Sequence, residues 1–311
     1  MRRRIPARQH TVPPLQLTGS ITALATPFTA DGRLDVDAWQ RLIERQIAAG
    51  TNALVVAGST GEAAMLDAVE YATLIREAVG VVQGRVPVLA GSGASGTDAT
   101  IRQTALATEQ GIDAALVVTP PYVRPTQSGL IAHYNAVAGH SDVPVVLYNV
   151  PSRTAGDLLP QTVGELSAHP NIIGIKEAVA DVGRIAALLP LRSDRFVVLS
   201  GDDPSACRSM LAGADGCISV ASNAAPASFA RLCAAATSGD AGTARAIDDR
   251  LAALYAFLGV EPNPIPVKAL LAALSLCADE LRLPLQRLSP IHGDALTDMA
   301  ARVAALESTF A

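Results

Sequence analysis

Up to about residue 240 the chain repeats one pattern eight times: a short apolar run, a turn, then residues at helical spacing. The runs are 20–26, 53–57, 86–90, 114–118, 145–148, 172–176, 196–200 and 217–220. None shows the strict apolar–polar alternation of a half-buried strand. Apolar character throughout is what a strand covered on both faces requires. The intervening segments have helix punctuation. Asp35 is a helix N-cap, Val36, Trp39, Leu42, Ile43 and Ile47 follow at helical spacing, and Gly50 ends the run. Further helices are expected at 67–79, 98–110, 129–138, 161–167, 181–189, up to 211, and at 227–236. Eight β–α units in this length are the arithmetic of an α/β protein of the (β/α)8 TIM-barrel class. An open doubly wound sheet would use fewer strands, and its edges would be more polar. After Gly239 the strands stop, and 243–258, 266–278 and 293–308 read as three helices. The expected organisation is an N-terminal extension over 1–17, a barrel over 18–239 and a C-terminal helical part over 240–311.

Charge and composition exclude several classes of function. The formal net charge is −5, so no nucleic-acid or anionic-membrane partner is expected. No apolar run is long enough to span a bilayer. Arg2, Arg3, Arg4 and Arg8 open the chain, but no apolar signal-peptide core follows, and the segment reads as a frayed or weakly docked extension. Cys207, Cys217, Cys233 and Cys277 lack metal or redox spacing and suit reduced, buried thiols of a cytoplasmic protein. The five histidines are scattered, so no metal site is expected. Gly91-Ser92-Gly93-Ala94-Ser95-Gly96 matches a dinucleotide fingerprint, with Asp113 or Glu109 as ribose partner. It follows the third strand of a barrel series, however, and is read as a close-packed turn; no cofactor is expected.

The chain holds two lysines, Lys176 and Lys268, against twenty-two arginines. Lys176 ends the sixth apolar run, where an unpaired ammonium is costly. Position alone leaves two readings: a lysine whose head reaches solvent, or a desolvated amine able to lose its proton and act as a nucleophile. Barrel active sites lie at the C-terminal ends of the strands. Those ends offer Ser59 and Thr60, Tyr122, Tyr148 and Arg153, Lys176, Gly201 and Ile218. Each has a plainer role: helix capping for Ser59 and Thr60, a core ring for Tyr148, a surface ion pair for Arg153, and turn chemistry at Gly201. Their convergence on one rim argues for chemistry. Lys176 would form an imine with a ketone, and Tyr148 would shuttle protons, helped by the hydroxyls of Ser59 and Tyr122. Backbone N–H groups of the 59–61 turn, at a helix start, would seat one carboxylate and Arg153 a second.

These residues carry a resemblance. From about 17 to 285 the chain resembles the family of class I aldolases that contains dihydrodipicolinate synthases and N-acetylneuraminate lyases. The matching stretches are Gly58-Ser59-Thr60-Gly61-Glu62, Tyr148-Asn149-Val150-Pro151-Ser152-Arg153-Thr154, Ile173-Gly174-Ile175-Lys176-Glu177, Leu199-Ser200-Gly201-Asp202-Asp203 and 260–268. The resemblance implies pyruvate as a Schiff base on Lys176 and Tyr148 as proton donor, with Ser59 and Tyr122 completing a hydroxyl relay. It implies that Thr60 and Ile218 hold pyruvate. For the synthase branch it implies that Arg153 holds L-aspartate-4-semialdehyde, on the route to diaminopimelate and lysine. Tyr122 would reach into a neighbouring subunit, so a homotetramer built as a dimer of dimers is implied.

Three positions depart from the synthase pattern: Ser59 for the usual Thr, Ala155 for Gly, and Pro121 for a second Tyr. Arg153 favours the synthase branch, whereas Ser59 and Ala155 keep a sugar-acid lyase in view. A barrel that binds without catalysing is the third reading, which pyruvate with borohydride would test. The positions matching the family's lysine-feedback pocket are Ala68, Tyr71, Ser95, Ala99 and Pro121. Ala99 supplies no anion for a bound ammonium, so weak or absent feedback is expected.

Overall fold

The computed structural model describes residues 15–310, so the extension expected over 1–14 lies outside the described residues. The strands are β1 (Gly19–Ala23), β2 (Ala53–Val56), β3 (Val88–Gly91), β4 (Ala114–Val118), β5 (Val145–Asn149), β6 (Ile172–Glu177), β7 (Val197–Ser200) and β8 (Gly216–Ser219). All pair in parallel and in sequence order, and β8 closes on β1. The helices are α1 (Val36–Ala48), α2 (Ala68–Val82), α3 (Thr97–Glu109), α4 (Gln127–Gly139), α5 (Pro151–Thr154), α6 (Pro160–Leu166), α7 (Val182–Leu188), α8 (Asp203–Leu211), α9 (Pro226–Thr237), α10 (Ala241–Leu258), α11 (Ile265–Ala273) and α12 (Gly293–Glu307). This is the expected (β/α)8 barrel with C-terminal helices.

The unbroken apolar runs follow from two covered faces. Along β2, Ala53 and Val55 face the barrel interior, while Leu54 and Val56 face the helices. The β5 residues Val146 and Tyr148 face inward, and Val145 and Leu147 outward. Helices α1 and α2 carry side-chain caps at their starts. Asp35 accepts from Ala38 N, and Asp67 forms a reciprocal capping box with Glu70.

The Gly-rich stretch after β3 is a packing device. A Cβ on Gly91 would lie 2.3 Å from the carbonyl oxygen of Ala57, and one on Gly93 would lie 2.6 Å from Val118 N. The Asp113 carboxylate is occupied structurally, accepting from Val88 N at 2.8 Å.

Three expectations are corrected. Leu17, counted with the loose extension, is fully buried in the barrel interior and closes it from the strands' N-terminal side. The segment 151–154, read as loop, is the one-turn helix α5, started by Pro151 at a position where a missing N–H costs nothing. The helix expected over 266–278 stops at Ala273. Ser275 there has φ +60°, which ends the helix, and Leu276 N bonds Leu271 O. The chain then turns back over the barrel mouth. Arg282 binds the Glu70 carboxylate and the carbonyls of Met65 and Gly32. The C-terminal helices share one apolar cluster with the last barrel helices: Phe229 and Leu232 of α9 pack with Leu251 and Leu254 of α10 and Val303 of α12.

Candidate active site

Lys176 and Tyr148 are neighbouring partners in the β5–β6 register. The lysine Nζ sits 4.3 Å from the centroid of the phenol ring. Lys176 is 5% exposed and Tyr148 lies in the interior cluster, so the amine is held inside the barrel mouth rather than reaching out to bulk water. Gly201, at the end of β7, leaves the room it needs. A Cβ there would lie 2.8 Å from the lysine Cε and 2.9 Å from its Cγ. Ile218 of β8 is buried in the same interior cluster as Tyr148.

The turn after β2 brings in the next groups. It is tightly self-bonded: Gly61 N donates to Gly58 O, Glu62 N to Ser59 O and Ala63 N to Gly58 O. The backbone N–H groups of Ser59 and Thr60 have no partner within the turn among the described residues. The turn is not at an α-helix start as expected, because a short 3-10 turn intervenes and α2 begins at Ala68. The capping role considered for Ser59 and Thr60 belongs to Asp67. Thr60 is buried, and its Oγ1 accepts from Asn263 Nδ2 at 3.0 Å. The exposed Arg153 guanidinium donates to the carbonyl oxygen of the same Asn263 at 3.0 Å. Asn263 therefore joins two site residues that the sequence separates widely, and its own Oδ1 is buried without a partner among the described residues. Ser59 is half-buried beside Thr60. Tyr122 stands apart. It is 91% exposed with φ +73°, so a single chain does not pack it against the other candidates.

Two supporting networks surround these groups. On the helix side of β5 and β6, Asn149 Nδ2 donates to the Glu177 carboxylate at 3.1 Å and to Asp157 Oδ1 at 2.8 Å. Val179 N also donates to Glu177, and Arg184 of α7 binds Asp157 and stands 3.9 Å from Glu177. Burial pushes the Glu177 carboxyl up to about 7, against the lowering effect of these hydrogen bonds and of Arg184. The second network is the ion pair of Lys268 on α11 with Glu62, at 2.5 Å, with both side chains fully buried. The other Glu62 oxygen accepts from Arg282 N, and Phe28 stacks under both cations. Reasoning from sequence did not assign functions to Asn263, Asn149, Glu177 or Glu62. Proline on both sides of Asn263 was the one local signal of a fixed backbone there.

Residues 16–303 match the Dihydrodipicolinate synthetase family. The chain belongs to that family. The 4-hydroxy-tetrahydrodipicolinate synthase of Xanthomonas campestris is 59% identical over 294 residues, covering 94% of this chain and 97% of the relative. That of Pseudomonas aeruginosa is 48% identical, covering 88% and 94%. The fold superposes on the chloride-inhibited dihydrodipicolinate synthase of Acinetobacter baumannii, solved in complex with pyruvate. The TM-score is 0.91 at 41% identity, over 93% of this chain and 99% of the other. Dihydrodipicolinate synthetase family members are lyases of the class I aldolase type, and this chain is an enzyme of that type.

Proposed function

We propose that the chain condenses pyruvate with L-aspartate-4-semialdehyde to 4-hydroxy-tetrahydrodipicolinate, within diaminopimelate and lysine biosynthesis. The observation that carries this is a nearly buried amine 4.3 Å from a phenol ring at the mouth of a closed barrel. Lys176 Nζ attacks the pyruvate ketone and water leaves, giving an imine. The methyl carbon then loses a proton and the resulting enamine attacks the aldehyde carbon. The acceptor's amino group adds to the imine carbon, which closes the ring and frees Lys176. Tyr148 moves protons in these steps, with Ser59 and the partner subunit's copy of Tyr122 continuing the relay. Thr60, with the free N–H groups of its turn, and Ile218 hold pyruvate. Gly201 keeps the lysine channel open, and Arg153 holds the acceptor carboxylate. No cofactor is required by this chemistry, because the imine itself is the electron sink.

A coupled assay with pyruvate and aspartate semialdehyde tests the reading. Turnover with that aldehyde, and none on cleavage of a sugar acid, is the expected result; the reverse preference would assign the chain to the lyase branch.

The exposure of Tyr122 supports assembly into a homotetramer, whose partner would cover it. A related structure, at TM-score 0.89 and 37% identity over 92% of this chain and 97% of the other, is of a monomeric dihydrodipicolinate synthase variant. The fold therefore does not dictate the copy number, and sedimentation measures it. The four free cysteines fit a cytoplasmic location.

Lysine feedback is expected to be weak. Tyr71 already spends its hydroxyl on Gly91 O at 2.9 Å, and Ala99 brings no carboxylate to a bound ammonium. Steady-state inhibition by sub-millimolar lysine would refute this.

A further inference from the structure

The face on which Lys176 appears is not the one that simple counting along β6 predicts. Ile172 pairs with Val145, and both face the helices. Alternation from Ile172 would turn 173, 175 and 177 inward and put Lys176 among the helices. The register breaks instead. One step along β5, from Val145 to Val146, corresponds to two along β6, from Ile172 to Gly174. Ile173 is the extra residue, and it packs on the interior cluster. Gly174 pairs with the inward-facing Val146, so two successive β6 residues stand on the interior side against one of β5. The second can only be glycine: a Cβ on Gly174 would lie 2.5 Å from Val197 Cγ2 and 2.7 Å from Val197 O. Beyond this bulge the phase is reversed. Ile175 faces the helices, Lys176 faces inward beside Tyr148, and Glu177 faces the helices. Bulges of this kind re-aim side chains next to sites.

A strand pair containing such a slip can settle in registers one residue apart, and in the uniform one the amine is lost from the mouth. Something above the bulge must select the productive register. The only cross-strand side-chain hydrogen bonds between β5 and β6 among the described residues are those from Asn149 Nδ2 to Glu177, one residue past the Tyr148–Lys176 pair. Asn149 Oδ1 is anchored in turn by Leu158 N, and Glu177 by Val179 N. The backbone adds Ala178 N to Asn149 O at 3.0 Å and Gly201 N to Glu177 O at 2.7 Å. We infer that Asn149 and Glu177 are positioning residues: their bond on the helix side of the sheet holds the bulged register that keeps the Lys176 amine against the Tyr148 phenol. This rests on the Schiff-base reading of Lys176.

The test measures the rate of borohydride-trapped pyruvate addition per folded site, by intact mass, beside circular dichroism. Glu177→Leu removes both acceptors, and Asn149→Asp removes the donor shared by Glu177 and Asp157 and sets a third carboxyl group beside theirs. Each is expected to slow trapping about tenfold or more, since small misplacement of a reacting group has large kinetic effects. Glu177→Gln keeps an acceptor for Val179 N and Asn149, and is expected to recover most of the Glu177→Leu loss. The double variant Asn149→Asp with Glu177→Gln reverses donor and acceptor across the same pair and is expected to trap faster than Asn149→Asp alone. Should Glu177→Leu not fold, that comparison decides. Wild-type trapping rates per folded site in Asn149→Asp, or no recovery in the double variant, would overturn the inference. If the unaltered enzyme traps no pyruvate, it is the Schiff-base reading that fails.

Discussion

Lys176→Arg is expected to cut turnover by on the order of a thousandfold or more, with the fold retained. The substitution preserves charge and much of the stem, but a guanidinium does not lose its proton and cannot form an imine. The measurement is simple here because amines are so few. The sequence contains one other lysine, Lys268, and it is 0% exposed and paired with Glu62. Pyruvate with borohydride should therefore add a single mass increment, carried on the peptide containing Lys176, and none in Lys176→Arg. An adduct that survives this substitution would remove Lys176 from the chemistry.

Lys268→Met should cause the largest loss of stability of any single change at the barrel mouth. It fills nearly the same volume but leaves the Glu62 carboxylate fully buried opposite a thioether. Breaking one side of a buried pair costs about 3–5 kcal/mol, because the remaining charge is uncompensated. In a chain of this size that corresponds to a fall in melting temperature of roughly 5–15 °C. Replacing both partners, as Glu62→Gln with Lys268→Met, should cost less than the sum of the single changes, since no charge is left behind. Additive losses in calorimetry would show that the pair does not act as a unit. Glu62 lies two residues beyond Thr60, in the same self-bonded turn. Lys268→Met should therefore also raise KM for pyruvate.

Much of the site could be read before the fold was in hand. A lysine at the end of an apolar run, in a chain that otherwise uses arginine, and a tyrosine at the end of the preceding run are local signals. They become a pair because parallel neighbouring strands put their C-terminal ends side by side. Close packing was also legible for Gly91 and Gly93, where Ala57 and Val118 enforce it, but not for Gly96, which has open space around it. Other features had no local sign. The sequence reads the turn at Thr60 as a helix start, but a 3-10 turn follows it and Gly61 N is spent within the turn, which leaves the N–H groups of Ser59 and Thr60. The helix expected to reach 278 looked continuous because apolar spacing persists through 274–277. The left-handed turn at Ser275 and the pull of Arg282 toward Glu70 lie outside that pattern.

Sequence by itself determined the eightfold repeat, and with it the barrel, because an apolar run with no polar face is stable only when both faces are covered. It also determined which side chains stand at the strand ends, since turn residues mark those ends. Tertiary structure alone decided three things. It brought Thr60 and Arg153 together through Asn263, two hundred and three positions from Thr60. It buried Lys268 against Glu62, two hundred and six positions away. And it turned Lys176 inward, through an extra residue at Ile173 that strict alternation would not predict. Each of these depends on contacts between segments far apart along the chain. Periodicity reports only on which face a residue takes within its own element, so none of them leaves a trace in it.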